Sequence, residues 1–132
     1  MTGFLAINDM AVQALEWRGG FMTVVSENDP LLRRFGQCDY VRMKAEETLV
    51  ILRKQADEVW AVITGQADVR MEDRREESPS YQAVQTLELD GDLPKAVLVP
   101  FGVRCRITAR TEAVLIRLTT HVDSDIPEDQ IP

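Results

Sequence analysis

The chain carries one histidine and two cysteines in 132 residues. Two thiols, Cys38 and Cys105, are too few for a disulfide framework, so a reducing compartment, the cytoplasm, is the expected location. With His121 as the single imidazole, the usual ligands for a transition metal and the usual proton carrier are nearly absent. No run of lysine or arginine forms a basic patch, and the net charge is −7. A surface of that sign repels phosphate backbones and anionic lipid, so neither nucleic acid nor membrane is an expected partner. No apolar run reaches the ~18 residues of a spanning helix. The N-terminus shows neither the basic flank nor the apolar core of a signal peptide.

What is present is ordinary for a globular protein: 45% hydrophobic and 28% charged residues. One domain spanning 1–132 is expected at this length. Short segments rich in Val, Ile, Leu and Thr, bounded by Gly, Pro, Asp or Ser, predict strands nearly everywhere. They are Met10–Trp17, Phe21–Ser26, Gln37–Ala45, Thr48–Lys54, Glu58–Thr64, Gln66–Glu72, Tyr81–Asp90, Ala96–Pro100, Val103–Ala109 and Ala113–Thr120. Arg18-Gly19-Gly20 reads as the turn of an N-terminal hairpin. Many short strands at near-regular spacing imply an all-β sandwich or barrel. The acidic end "DSDIPEDQIP" reads as an irregular surface tail, 121–132.

Two spacings carry more. Glu58 precedes Gly65 by six intervening residues, with the glycine between two apolar strands. Further on, "PFGVRC" sets Pro100, Gly102 and Cys105 in a strand–turn–strand context. Between them lies "DRREESPSY", Asp73–Tyr81. The pair of motifs resembles the two motifs of the cupins, in which a histidine stands where Cys105 is. The segment between resembles the Asp-x-Arg-x-x-Ser-Pro-Thr-Tyr/Phe stretch of dTDP-4-dehydrorhamnose 3,5-epimerases (RmlC-like). Asp73, Arg75, Ser78, Pro79 and Tyr81 match it, with Ser80 in place of threonine. The resemblance covers about residues 48–132 and implies a single-domain, RmlC-like jelly-roll β-barrel. It also implies a small-molecule or nucleotide-sugar ligand and a homodimer with N-terminal strands (1–27) in the contact.

The family's chemistry is harder to find. Of the four cupin metal ligands only Glu58 is kept; the His-x-His places read Leu52 and Lys54, or Ile51 and Arg53, and the last reads Cys105. No metal and no other cofactor is expected. The epimerases remove a proton with a histidine and return one with a tyrosine. The comparable stretch here is "VILRKQ", without histidine, and Ala113–Thr120 holds no tyrosine. The lysine the family uses near the sugar corresponds to Glu58. No catalytic residue is therefore assigned.

Strand alternation brings Glu58, Trp60, Val62, Val103, Cys105 and Ile107 to one interior, with Arg104 and Arg106 outward. Lys54 or Arg53 would pair with Glu58, as a partly solvated pair at the barrel mouth. Burial of that pair would instead point to a polar ligand. Arg117, whose face the pattern leaves open, would bind phosphate or carboxylate if inward. Arg53, Lys54, Glu58, Trp60, Cys105 and Arg117 form the candidate ligand pocket. Three functions follow: a non-catalytic sugar-binding protein, an epimerase or isomerase with unusual acid–base residues, or a structural dimerisation module. Apolar residues on both faces of "AVITG" and "AVLIRL" call for cover on the outer face too, which a two-fold dimer would supply.

Overall fold

A computed structural model describes residues 7–26 and 31–122. Nine strands run in chain order: β1 Ala11–Ala14, β2 Gln37–Met43, β3 Thr48–Leu52, β4 Glu58–Thr64, β5 Gln66–Asp73, β6 Val84–Asp90, β7 Lys95–Val99, β8 Val103–Ala109 and β9 Ala113–Thr119. They form a five-stranded sheet in the order β1-β7-β4-β9-β2 and a four-stranded sheet β3-β8-β5-β6. Every pairing is antiparallel. This is an all-β jelly roll, with no helix among the described residues.

The two sheets differ in what lies outside them, and the sequence of each strand follows. In β8 the residues alternate: Val103, Cys105, Ile107 and Ala109 are buried while Arg104, Arg106 and Thr108 face outward, because the four-stranded sheet has one wet face. In β4 the first five residues are all buried. Trp60 and Val62 enter the core between the sheets. Val59 and Ala61 enter a second cluster with Ala96, Leu118, Leu15 and Leu31 on the outer face.

That second cluster corrects two expectations. The cover for the outer face of the five-stranded sheet comes from the chain itself, through Leu15, Met22, Val24, Val25, Leu31 and Leu32. A dimer is not needed to bury it. Phe21–Ser26 is not a strand: after the Arg18–Phe21 bridge the segment lies irregularly on the sheet. Its alternating burial comes from packing one side against that face, which mimics the period of a strand. Tyr81–Ala83 likewise belongs to a turn, with Tyr81 N–H donating to Ser78 and Ala83 N–H to Ser80, so β6 begins at Val84. The tail 123–132 lies outside the described residues.

Both motif glycines sit at positive φ in tight turns. Gly65 (φ 86) joins β4 to β5, where an added Cβ would lie 2.2 Å from the Glu112 carbonyl oxygen. Gly102 (φ 80) leaves room for the Arg75 stem, 2.3 Å from where its Cβ would be. The segment between the motifs is a brace. Buried Asp73 accepts from the Arg75 backbone N–H (2.9 Å), Arg75 Nε (3.0 Å) and Nη2 (3.1 Å), and Ser80 Oγ (2.6 Å). Ser80 Oγ then accepts from Asn8 N–H (2.7 Å), and Arg75 Nη2 donates to Asn8 O (2.7 Å). The motif thereby ties the N-terminal segment to the mouth of the barrel.

Candidate functional site

Pairing register assembles the site. Trp60 on β4, Arg117 on β9 and Asp39 on β2 lie in one row across the five-stranded sheet, and Glu58, Thr119 and Gln37 lie in the next. Residues two apart share a face, so both rows point into the barrel. β3 and the residue after it contribute Ile51, directly opposite Cys105, and buried Arg53.

Glu58 is the hub. Its Oε1 accepts from Trp60 Nε1 (3.0 Å), and its Oε2 from Arg117 Nη1 (3.3 Å) and Arg53 Nη1 (3.5 Å). Arg117 also donates from Nε (3.0 Å) and Nη2 (2.6 Å) to Asp39 Oδ2. Gln37 Nε2 completes the line on Asp39 at 3.1 and 2.9 Å. Four charges of balanced sign are thus linked, three on the five-stranded sheet and Arg53 from the end of β3 in the other sheet. The Arg53–Glu58 pair is buried, with side chains 3% and 2% exposed, so the expectation of a partly solvated pair is corrected. A bond to indole, two guanidinium groups and a second carboxylate replace the water lost. Asp39 is the accessible end, its side chain one-third (33%) exposed.

The six sequence candidates divide. Arg53, Glu58, Trp60 and Arg117 are joined by the contacts above. Cys105 is buried beside them, its thiol pushed far up by burial and then by the Glu58 charge, so it is no nucleophile near neutrality. Lys54 is exposed on the loop after β3. Arg117 faces inward, which alternation could not decide in a strand with apolar residues on both faces. Asp39 was missed: β2 gives no motif, and only its register against β9 reveals the pair. His121 lies at the end of β9, half-buried, its Nδ1 2.9 Å from Thr120 Oγ.

The four cupin ligand places read Ile51, Arg53, Glu58 and Cys105, since Leu52 lies on the other face of β3. A guanidinium on the one remaining carboxylate does not fit a metal ion. Among the described residues no group of three or more His, Cys, Asp or Glu could hold one. Among the described residues, five hollows of about 340 to 800 Å³ are lined by side chains other than Arg53, Glu58, Trp60, Cys105 and Arg117.

Two sheets in this order, with both motif turns in place, define an RmlC-like cupin jelly roll. Solved structures agree. A dTDP sugar isomerase from Desulfovibrio desulfuricans G20 superposes with a TM-score of 0.79 at 17% identity, over 96% of this chain and 91% of that one. The 3'-monoepimerase ChmJ of Streptomyces bikiniensis, in complex with dTDP-quinovose, gives 0.81 at 13% identity, over 96% and 70%. The RmlC epimerase of Legionella pneumophila, in complex with dTDP-4-keto-L-rhamnose, gives 0.80 at 17%, over 97% and 74%. By sequence the chain is 27% identical over 117 residues to SpsL, a spore coat polysaccharide biosynthesis protein of Bacillus subtilis (strain 168), covering 86% of this chain and 78% of the relative. No family model matches the chain. The fold is that of the dTDP-sugar epimerases and isomerases.

Proposed function

We propose that this protein is a non-catalytic, sugar-ligand-binding jelly roll that serves polysaccharide biosynthesis. One observation carries the reading: the interior where an epimerase places its acid–base pair holds a largely buried ion network instead. Glu58 is committed to two guanidinium groups and an indole. Cys105, at the vacated histidine place, faces Ile51. Burial keeps the Cys105 thiol protonated near pH 7, and both Glu58 oxygens are already taken by donors, whereas general acid–base catalysis needs a group within reach of the substrate proton. The polysaccharide role follows the SpsL likeness. The burial of the network favours a polar ligand at its open end, since a filled core gains nothing from ions over apolar packing. A phosphate would compete with Asp39 for Arg117. The free thiols Cys38 and Cys105 agree with a cytoplasmic site of action.

Proton exchange decides catalysis. Incubated in D2O with a dTDP-4-keto-hexose, the protein is expected to leave C3 and C5 unlabelled by NMR; protein-dependent labelling overturns the reading and would direct attention to Glu58 and Lys54. Calorimetry with dTDP tests the ligand. Asp39→Asn, which frees Arg117 of a competing charge, is expected to tighten binding; no binding to either form removes the nucleotide from the proposal.

A second reading, a homodimer whose role is protein contact, is favoured by the exposed aromatic side chains around β2 and the N-terminal turn, where Phe21 is 80% and Tyr40 69% exposed.

A further inference from the structure

The turn that carries the second motif has a feature unrelated to the barrel interior. Phe101 stands out from it, 44% exposed, on a backbone tied to its neighbours. Its N–H donates to Asp57 Oδ1 (2.9 Å), and the Arg75 guanidinium lies 6.0 Å from the ring centroid. Arg75 is itself fixed by Asp73 and Asn8, and Gly102 gives its stem room. Cation–π contact of this kind orients an aromatic ring at the surface. A ring oriented in this way offers its other face to a ligand at a smaller ordering cost.

Two hollows meet at this ring. One, of about 370 Å³, has Leu31, Leu98 and Pro100 as walls and the ion pair of Arg33 Nε with Asp57 Oδ2 (3.1 Å) as its polar groups, the Arg33 side chain remaining 58% exposed. The other, of about 800 Å³, runs over Arg74, Glu76, Glu77 and Pro79. Phe101 and Asp9 line both, so they form one groove across the mouth-end loops. Either volume lies within the range of small-ligand sites. The groove mixes carboxylates and guanidiniums in near-equal number along its length, which opposes a polyanion and a polycation alike. A net charge of −7 weighs further against a polyanion. Interspersed donors and acceptors around an apolar ring complement a neutral chain of hydroxyls with apolar C–H faces.

We propose that this groove binds a neutral hexopyranose oligosaccharide, one sugar face stacked on Phe101 and its hydroxyls on Asp57 and Arg33. The groove shares no lining residue with the Glu58–Arg117 network, so the assignment stands whether or not the interior binds a nucleotide.

The test uses the full chain, isotope-labelled, titrated by NMR with gluco-, manno-, galacto- and rhamno-hexasaccharides and with an oligogalacturonate as the anionic control. At least one neutral hexasaccharide is expected to shift amides around residues 98–102 and 31–33, saturating at millimolar concentration. Phe101→Ala, a surface change that keeps the fold, is expected to weaken it by about tenfold, while Phe101→Trp retains it. No neutral oligosaccharide binding, binding of the oligogalacturonate alone, or shifts that persist unchanged in Phe101→Ala would each overturn the proposal. Asp39→Asn is expected to leave these shifts untouched, which separates this site from the interior one.

Discussion

A carboxylate with no water around it must be answered by donors, and Asp73 is answered four times. Hydrogen bonds from Arg75 and the Ser80 and Ser78 hydroxyls hold its carboxyl well below the usual range, although burial alone would raise it. Because the folded pKa is depressed, the associated stability is present above the unfolded value of about 4 and lost as pH falls below it. Acid unfolding of the wild type is expected to steepen below about pH 4, followed by circular dichroism, and to be shallower in Asp73→Asn. Asp73→Ala leaves Arg75 with only the exposed Asp9 carboxylate, 3.6 Å from Nη1, and is expected to cost about 3–5 kcal/mol in denaturant melts. A loss under about 1 kcal/mol would mean that the brace is incidental. The two thiols give a simpler check. Cys38 is exposed and Cys105 buried. An aromatic disulfide reagent is expected to titrate one thiol per native chain and two after denaturation. Sequence alone showed the Asp73–Tyr81 segment only as a family likeness, since its partner Asn8 is far away in the chain. The Glu58 network was half visible for the same reason: Arg53 is local, but Asp39 arrives through pairing.

At the scale of elements, β2 to β5 and β7 to β9 were legible to within a residue or two, because turns bound them and apolar residues recur along them. β4 and β9 resist alternation since both their faces are covered. The N-terminal cover was misjudged on the same ground. A segment that packs one side against a sheet has the hydrophobic rhythm of a strand without its ladder, and period alone cannot tell the two apart. Its role is nonetheless testable. Deleting residues 1–25 removes Leu15, Met22, Val24 and Val25 and bares Val59, Ala61, Ala96 and Leu118. Exposed apolar patches of that kind are aggregation-prone. The truncated chain is expected to aggregate or to bind a hydrophobic dye strongly. A soluble, cooperatively melting truncation would show that the cover is dispensable.

The whole molecule presents its aromatics outward. Of the seven among the described residues only Trp60 is buried; Trp17, Phe21, Phe35, Tyr40, Tyr81 and Phe101 are exposed. Aromatic side chains carry large apolar area and favour interfaces, so six outside against one inside is a cost in water that assembly would offset. Four of the six belong to the N-terminal turn and to the approach and length of β2. Among the described residues that strand pairs on one side alone, with β9, along its seven residues. An uncovered edge beside apolar side chains invites a second copy, and closed two-fold symmetry is the commonest way to end such pairing. Val59 and Leu118 are already covered by the chain itself. At micromolar concentration sedimentation equilibrium is expected to return twice the chain mass of 14.9 kDa. Tyr40→Glu puts a charge at the centre of the edge while leaving the monomer core intact, and it is expected to shift the species to monomer with an unchanged melting transition. A wild-type monomer would refute the dimer. A dimer indifferent to Tyr40→Glu would move the interface away from β2, and the Trp17–Phe21 turn would then be the next surface to charge.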